Sequence, residues 1–448
     1  MPPTMILLLS LFLIEPRQYS TEVLVEDLNA LKRALEREHA GLNNYVSKQE
    51  IDNAFASLKR ELGPMDELGF FGKILPLMAL IGDGHTQLSL SDTTTRRLDE
   101  LAVRLPVKLF VTGDEAFIQR DYSQGSVFPL GSQVTAINGM SMEEIIHRML
   151  PLFTSDGQNL TLKYRFMGSS WWFGTRLRLF LGEVDSFRFD IRERGGDGRR
   201  SIEHPGLTRE QVERAYQARY ASEDRDLSVT RLRFEDDLAI LRLPSFQDSR
   251  LNGQSFEAFF SGSFARIQQA EVNHLIIDLR GNGGGYDAPG RILLQHLASA
   301  PFEYYKDLRR ADGGSVGHPN LGIHQPKAPG FRGKVFVFMD GGSFSAASEF
   351  ISVAHHLKLA TFIGEEPSGG YTGNTSGTTG METLPNTKIR VYIPKVRYLL
   401  AVEEDERYRQ GLVPDVRMVP SIDDLLEKRD PALEWVRTWV SKKKDESL

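Results

Sequence analysis

Leu24, Leu28, Leu31 and Leu35 recur at helical spacing with charged residues between them, which predicts an amphipathic helix near the start of a helical stretch over 21–80. A second helix is expected over 48–62, stopped by Gly63-Pro64, and a third runs from about Asp66 to Gly82-Asp83-Gly84. A short strand follows over 86–90. From about 101 to 200 the pattern turns strand-like, with 105–111 and 116–119 separated by Thr112-Gly113-Asp114. Residues 133–137 run into an Asn138-Gly139 turn and then a helix over about 142–150. Residues 195–230 read as a surface hairpin and a helical linker. Beyond 235 the chain alternates: strands at 238–243, 274–279, 335–339 and 360–363, helices at 255–270, 288–299 and 345–357. Such alternation predicts a sheet joined by crossover helices, an α/β core within an α+β whole. Asp430-Pro431 opens a last helix with an N-cap and a first-turn proline.

Composition narrows the function classes. The chain has 448 residues and a formal net charge of -6, enough length for two to four domains and too little positive charge for nucleic acid or an anionic membrane surface as main partner. Cysteine is absent, so any enzymatic nucleophile is not sulfur, and thiolate metal sites are excluded. No metal or cofactor site is expected, since the histidines show no ligand spacing. The apolar run from Met5 to Ile14 is too short to span a bilayer and suits a signal segment; export to the periplasm, envelope or exterior is expected, with a cytoplasmic protein carrying a hydrophobic arm as the alternative. No other window is long and apolar enough for a transmembrane span. Residues 129–141 resemble the "G-D-x-I-x-x-I-N-G" segment of the PDZ fold, with Ser132-Gln133 replacing the usual acidic pair; a generic hairpin is the alternative. The expected organisation is a signal or hydrophobic arm over 1–20, a helical domain over 21–100 contributing His85, a PDZ-like domain and linker over 101–225, and an α/β core over 226–448. Trp171-Trp172 is expected to be a buried or interface pair.

Three separated segments carry candidate chemistry. At 275–285 an apolar strand runs into Gly281-Asn282-Gly283-Gly284-Gly285, a turn whose amides can face a ligand. It lacks the spacing of a dinucleotide loop or P-loop, which leaves an oxyanion hole or a plain turn. At 335–350 a strand turns into a helix through Asp340-Gly341-Gly342-Ser343-Phe344-Ser345, placing a hydroxyl at a helix N-terminus; ordinary capping is the alternative. At 81–88 His85 sits between Gly84 and a strand, as a structural residue or a base.

Asp83-Gly84-His85-Thr86, Ile137-Asn138-Gly139, 275–285, 343–350, Ile363-Gly364-Glu365-Glu366, Leu384-Pro385-Asn386-Thr387 and 411–415 together, in this order, resemble the C-terminal processing (tail-specific) serine protease family, in its tricorn-like and interphotoreceptor-retinoid-binding-protein-like branch. The resemblance spans the chain from about residue 25. It implies a ClpP/crotonase-like core sheet and hydrolysis of protein or peptide substrates through a serine acyl-enzyme. Ser345 matches the nucleophile, and the amides of Ala346 and Gly284 match the oxyanion hole. Gly370 stands where one branch carries a catalytic lysine, so the resemblance implies His85 as base, oriented by a downstream carboxylate. Glu403, Glu404 and Glu406 are the candidates, with Glu404 favoured at 59 residues after Ser345 (404 − 345). Ser348 departs from the family's usual Glu, and Glu349 follows it. A non-catalytic module of the same fold holding a hydrophobic ligand or peptide, and an esterase or amidase, are the competing expectations.

Overall fold

The computed structural model describes residues 16–446 apart from Ala102, Asp185, Asp197, Asn252 and 404–410. The apolar run at Met5–Ile14 lies outside the described residues, as do Glu404 and Glu406.

The core is a six-stranded sheet in the order Arg231–Glu235, Leu238–Arg242, His274–Asp278, Lys334–Met339, Thr361–Gly364, Val416–Arg417. Only the first pairing is antiparallel; the others are parallel, with Leu241, Ile277, Val337 and Phe362 aligned across four strands. Near-continuous apolar strands are buried on both faces, as parallel sheets require. Leu275, Ile277, Val335, Val337 and Met339 pack on one face under the helices Phe256–Gln269, Ala288–Leu297 and Ala346–His356. Ile276, Phe336, Phe338 and Ile363 point the other way, against Leu433, Val436 and Val440 of the helix Pro431–Glu446. Each fully buried side chain of this size contributes about 1.5–3 kcal/mol, so a polar residue at Ile277 or Phe336 would break the layer. The loops after Asp278, Met339 and Gly364 gather at the carboxyl ends of the strands, where open α/β sheets place their ligands.

The N-terminal unit packs helices Thr21–Glu38, Lys48–Glu61 and Glu67–Ile81 around Leu24, Leu28, Phe70, Ile74 and Met78. Ser47 and Glu50 form a capping box, and Gly82 ends the third helix at φ 70, the left-handed conformation glycine tolerates. A long hairpin of the core, Gly373–Thr383 with Arg390–Leu400, reaches into this unit. Its second strand pairs with Gln87–Ser89, and Leu384, Ile389, Val391 and Ile393 enter the helical cluster. That pairing ties the segment around His85 to the core.

The middle unit is an antiparallel sheet in the order Val107–Thr112, Glu115–Asp121, Gln133–Ile137, Ser186–Arg192, Arg199–Pro205, with the Asn138-Gly139 turn leading into the helix Met142–Met149. The strand-like expectation for 101–200 is corrected over 161–181, where Thr161–Met167 and Ser170–Leu181 are helices, while Ser186–Arg192 is a strand. The second helix is buried nearly all round, its two arginines included, and rich in residues that favour strands, so no 3.6-residue stripe marks it. Packing selects the helix: Ser169 caps it, and a Cβ on Gly174 would lie 2.3 Å from the Val103 carbonyl oxygen. Trp171 and Trp172 are half-buried, covered by the guanidinium groups of Arg104 and Arg176. No helix among the described residues is long and apolar enough to cross a membrane.

Candidate active site

The strand Lys334–Met339 leaves the sheet through a loop held by its own side chains. Asp340 Oδ1 accepts from the amides of Gly342 and Gly281, both at 2.8 Å, and so fastens the serine loop to the glycine loop. Ser343 is fully buried; its hydroxyl donates to the Leu279 carbonyl at 2.8 Å and accepts from the Asp340 amide at 3.1 Å. Both roles consume it as a structural clip. Ser345 differs on each count. It is half-buried, stands at the N-cap of the helix Ala346–His356, and makes no capping hydrogen bond. Its backbone is at φ 54, ψ -130, which a residue with a Cβ adopts only when its surroundings impose it. The hydroxyl, without a hydrogen bond among the described residues, thus stands at a helix N-terminus, where the dipole favours developing negative charge.

Gly284 packs directly on this turn at φ 92. A Cβ there would lie 2.7 Å from Ser345 Cβ and 3.1 Å from the Ala346 nitrogen, so only glycine lets the two loops touch. The Ala346 amide donates to no acceptor among the described residues. The Gly284 amide donates to Asn282 Oδ1 at 2.9 Å, while its carbonyl accepts from the Phe246 amide at 2.9 Å. In this conformation one of the two expected oxyanion donors is free and the other is engaged.

His85 is delivered by the turn that follows Gly82. Asp83 Oδ1 accepts from the amides of His85 at 2.8 Å and Thr86 at 3.0 Å, fixing the turn. Asp83 Oδ2 faces His39 Nε2 at 3.1 Å and accepts from the Thr375 hydroxyl. Because the Gly41 amide donates to His39 Nδ1, the Nε2 of His39 carries the proton. Burial alone would raise the Asp83 carboxyl, but the His39 hydrogen bond leads the opposing effects and holds it below the usual value. The His85 ring lies on Phe344, centroids 4.4 Å apart at 25°. Its Nδ1 is buried without a hydrogen-bond partner, and burial pushes its pKa down against the pull of Asp83. The imidazole is therefore neutral at physiological pH, as a general base requires.

A residue not singled out in the sequence completes this corner. Asp156, from the loop between the middle unit's helices, accepts from the Gly84 amide at 2.8 Å and the Gly370 amide at 2.9 Å. Burial, then the charge of Asp83, raises its pKa to about 7. One ligand atom each of Asp83, His85 and Asp156 lies within 4.8 Å of the others. These carboxylates are already occupied by amides, a hydroxyl and an imidazole, which describes a hydrogen-bonded positioning network better than an open cation site. The only sequence signal was an Asp-Gly pair like Asp83-Gly84, and such pairs also mark ordinary turns.

Gly370, which the sequence resemblance sets against a lysine of one branch, donates its amide to Asp156. Ser348 donates to the Ser343 carbonyl at 2.8 Å and accepts from the Gly369 amide at 3.1 Å, joining the loop over 367–370 to the serine loop. Glu349 is buried and accepts from Tyr305 at 2.6 Å and Asn374 at 2.8 Å; burial, then the charge of Asp287, raises it to about 8. Glu403 is exposed, and its amide lies 3.5 Å from Nδ1 of His356, at the far end of the helix that starts beside Ser345. The structure therefore brings together the loops of Ser345, Ala346, Gly284 and His85 and does not bring Glu403 to them.

Residues 237–418 match the family model described as Peptidase family S41. Among solved structures, mature CPAF complexed with lactacystin is similar at a TM-score of 0.64 and 14% identity, over 93% of this chain and 97% of that one. Mature CPAF gives a TM-score of 0.61 and 13% identity, over 91% and 95%. At such identities the likeness speaks for the fold. No curated protein matches the chain.

Proposed function

We propose that the chain, whose residues 237–418 match the family model described as Peptidase family S41, is a serine peptidase with Ser345 as its nucleophile and His85 as its general base. One observation carries the assignment: the His85 ring is stacked on Phe344, the residue immediately before Ser345, although the two loops come from different units of the fold. Ser345 attacks the scissile carbonyl while His85 takes its proton, and the Ala346 amide with the helix N-terminus stabilises the oxyanion. The Gly284 amide joins as second donor by releasing Asn282 when the carbonyl enters. His85 then protonates the leaving amine, and water resolves the acyl-enzyme by the same path in reverse. Asp83 and Asp156 hold the histidine turn. Glu404 remains our assignment for the carboxylate that orients the imidazole, with Glu406 as its alternate.

The substrates are extended protein or peptide chains, and the PDZ-like middle unit engages their ends by strand addition, which would make the enzyme tail-specific. The apolar N-terminal run is read as an export signal. The test is hydrolysis of unfolded casein by the full chain. Ser345→Ala is expected to abolish turnover with the fold intact by circular dichroism, whereas unchanged turnover refutes the assignment.

A further inference from the structure

The segment that enters the long core hairpin touches both halves of the site. On the serine side, the Ser368 amide donates to the Ser343 carbonyl at 2.9 Å and the Gly369 amide to the Ser348 hydroxyl at 3.1 Å. On the histidine side, the Gly370 amide donates to Asp156 at 2.9 Å. From Gly373 the segment is a strand, with Gly373, Asn374 and Thr375 paired to Leu399, Tyr398 and Arg397. A Cβ on Gly373 would overlap the Tyr398 carbonyl oxygen, and its φ of 137 favours glycine, so the strand begins at a fixed place.

Successive side chains of a strand leave by opposite faces. At Asn374 and Thr375 those faces meet different halves of the site. Asn374 Nδ2 donates to Glu349 Oε1 at 2.8 Å. Glu349 lies one turn into the helix that starts at Ser345, and its amide donates to the Ser345 carbonyl at 3.1 Å. Tyr305 donates to the other carboxyl oxygen of Glu349 at 2.6 Å, so Asn374 grips a group that is itself held. Thr375 donates its hydroxyl to Asp83 Oδ2, while Asp83 Oδ1 accepts from the amides of His85 at 2.8 Å and Thr86 at 3.0 Å. Both side chains are buried. Hydrogen-bond satisfaction alone does not account for the pair, because Asn374 Oδ1 is buried without a partner among the described residues, which costs stability.

We propose that Asn374 and Thr375 are positioning residues that set the separation of nucleophile and base. One peptide unit, about 3.8 Å between its Cα atoms, ties the helix of Ser345 on one face of the strand to the turn of His85 on the other. The inference rests on the catalytic roles proposed for Ser345 and His85; the two residues act through Glu349 and Asp83.

The test is hydrolysis of unfolded casein by the full chain, with the rate of fluorophosphonate labelling and a thermal melt measured beside it. Thr375→Ala is expected to lower kcat by about 10- to 100-fold with KM within about twofold, and to slow labelling by a similar factor. Thr375→Ser keeps the hydroxyl and should stay within about threefold of the unmutated chain in kcat. Asn374→Ala should lower kcat and labelling in the same way as Thr375→Ala. Equal kcat in the alanine and serine variants of Thr375 overturns the proposal, and so does a raised KM with kcat retained. Where Thr375→Ala does not fold, undiminished labelling of Asn374→Ala or a serine variant slowed as strongly as the alanine variant is expected to be overturns it instead. An unmutated chain that takes the label while every variant keeps its rate refutes the positioning roles alone. An unmutated chain that neither hydrolyses casein nor takes the label refutes the catalytic reading, and these roles with it.

Discussion

The imidazole of His85 lies against the ring of Phe344 at a centroid distance of 4.4 Å, and this contact joins the histidine turn of the N-terminal unit to the serine loop of the core. Gly84 makes the approach possible, since a Cβ there would lie 2.9 Å from Phe344 Cζ. An aromatic pair of this kind contributes about 0.5–1.5 kcal/mol beyond its buried area. Its larger effect is positional.

Phe344→Ala is therefore expected to lower kcat/KM on unfolded casein by roughly 10- to 100-fold, because small displacements of a catalytic group carry penalties of that size. Steady-state kinetics beside a thermal melt checks it. A loss of stability without a loss of kcat/KM would show that the stack only packs the loops.

Gly284→Ala places a methyl group 2.7 Å from Ser345 Cβ and 2.9 Å from the Phe344 carbonyl, at a φ of 92 that alanine resists. We expect a destabilisation of about 1–3 kcal/mol from backbone strain and overpacking, with activity lost as well. Urea unfolding measures the first and casein hydrolysis the second.

Asp156→Ala leaves the Gly84 and Gly370 amides without their acceptor and unties the histidine turn from the loop over 367–370. A fall in kcat of about 10- to 100-fold with KM little changed is expected for a residue that positions a catalytic base. Asp156→Asn, which keeps one carbonyl acceptor, should retain more activity than the alanine variant. Equal activity of the two variants would contradict the positioning role.

How far the site can be read from the chain differs from residue to residue. Ser345 sits at a strand-to-helix turn among small residues and His85 beside a glycine before a strand, but capping or a structural role would explain each alone, and only the order of seven segments along the chain singles them out. Asp156 is not singled out even so, because its partners are backbone amides contributed by segments far away in sequence, and amides carry no residue signature. Glu403 shows the converse: its place at the end of the returning strand makes it a candidate, and that strand delivers it to His356. The alternating core was legible because parallel strands buried on both faces read as unbroken apolar runs. The helix Ser170–Leu181 was not, since burial on nearly every side removes the polar face that marks a helix.

Glu349 ties stability to pH. A carboxyl whose folded pKa, about 8, exceeds its unfolded value binds its proton more tightly when folded. It therefore opposes folding increasingly as pH rises from about 4.5 through 8, in contrast to an ordinary paired carboxylate. Glu349→Gln mimics the protonated form, so its Tm should exceed that of the unmutated chain by several degrees at pH 8 and match it within about a degree at pH 5. Differential scanning calorimetry at the two pH values decides.

Ser345, activated by His85, is the proposed nucleophile, and intact-mass spectrometry after treatment with a fluorophosphonate, followed by peptide mapping, reads it out on the protein itself. One adduct per chain is expected, on Ser345, absent in Ser345→Ala and strongly slowed in His85→Ala, while Ser343 stays unmodified because its hydroxyl is buried and doubly engaged. An adduct on Ser343, or undiminished labelling of Ser345→Ala, would contradict it.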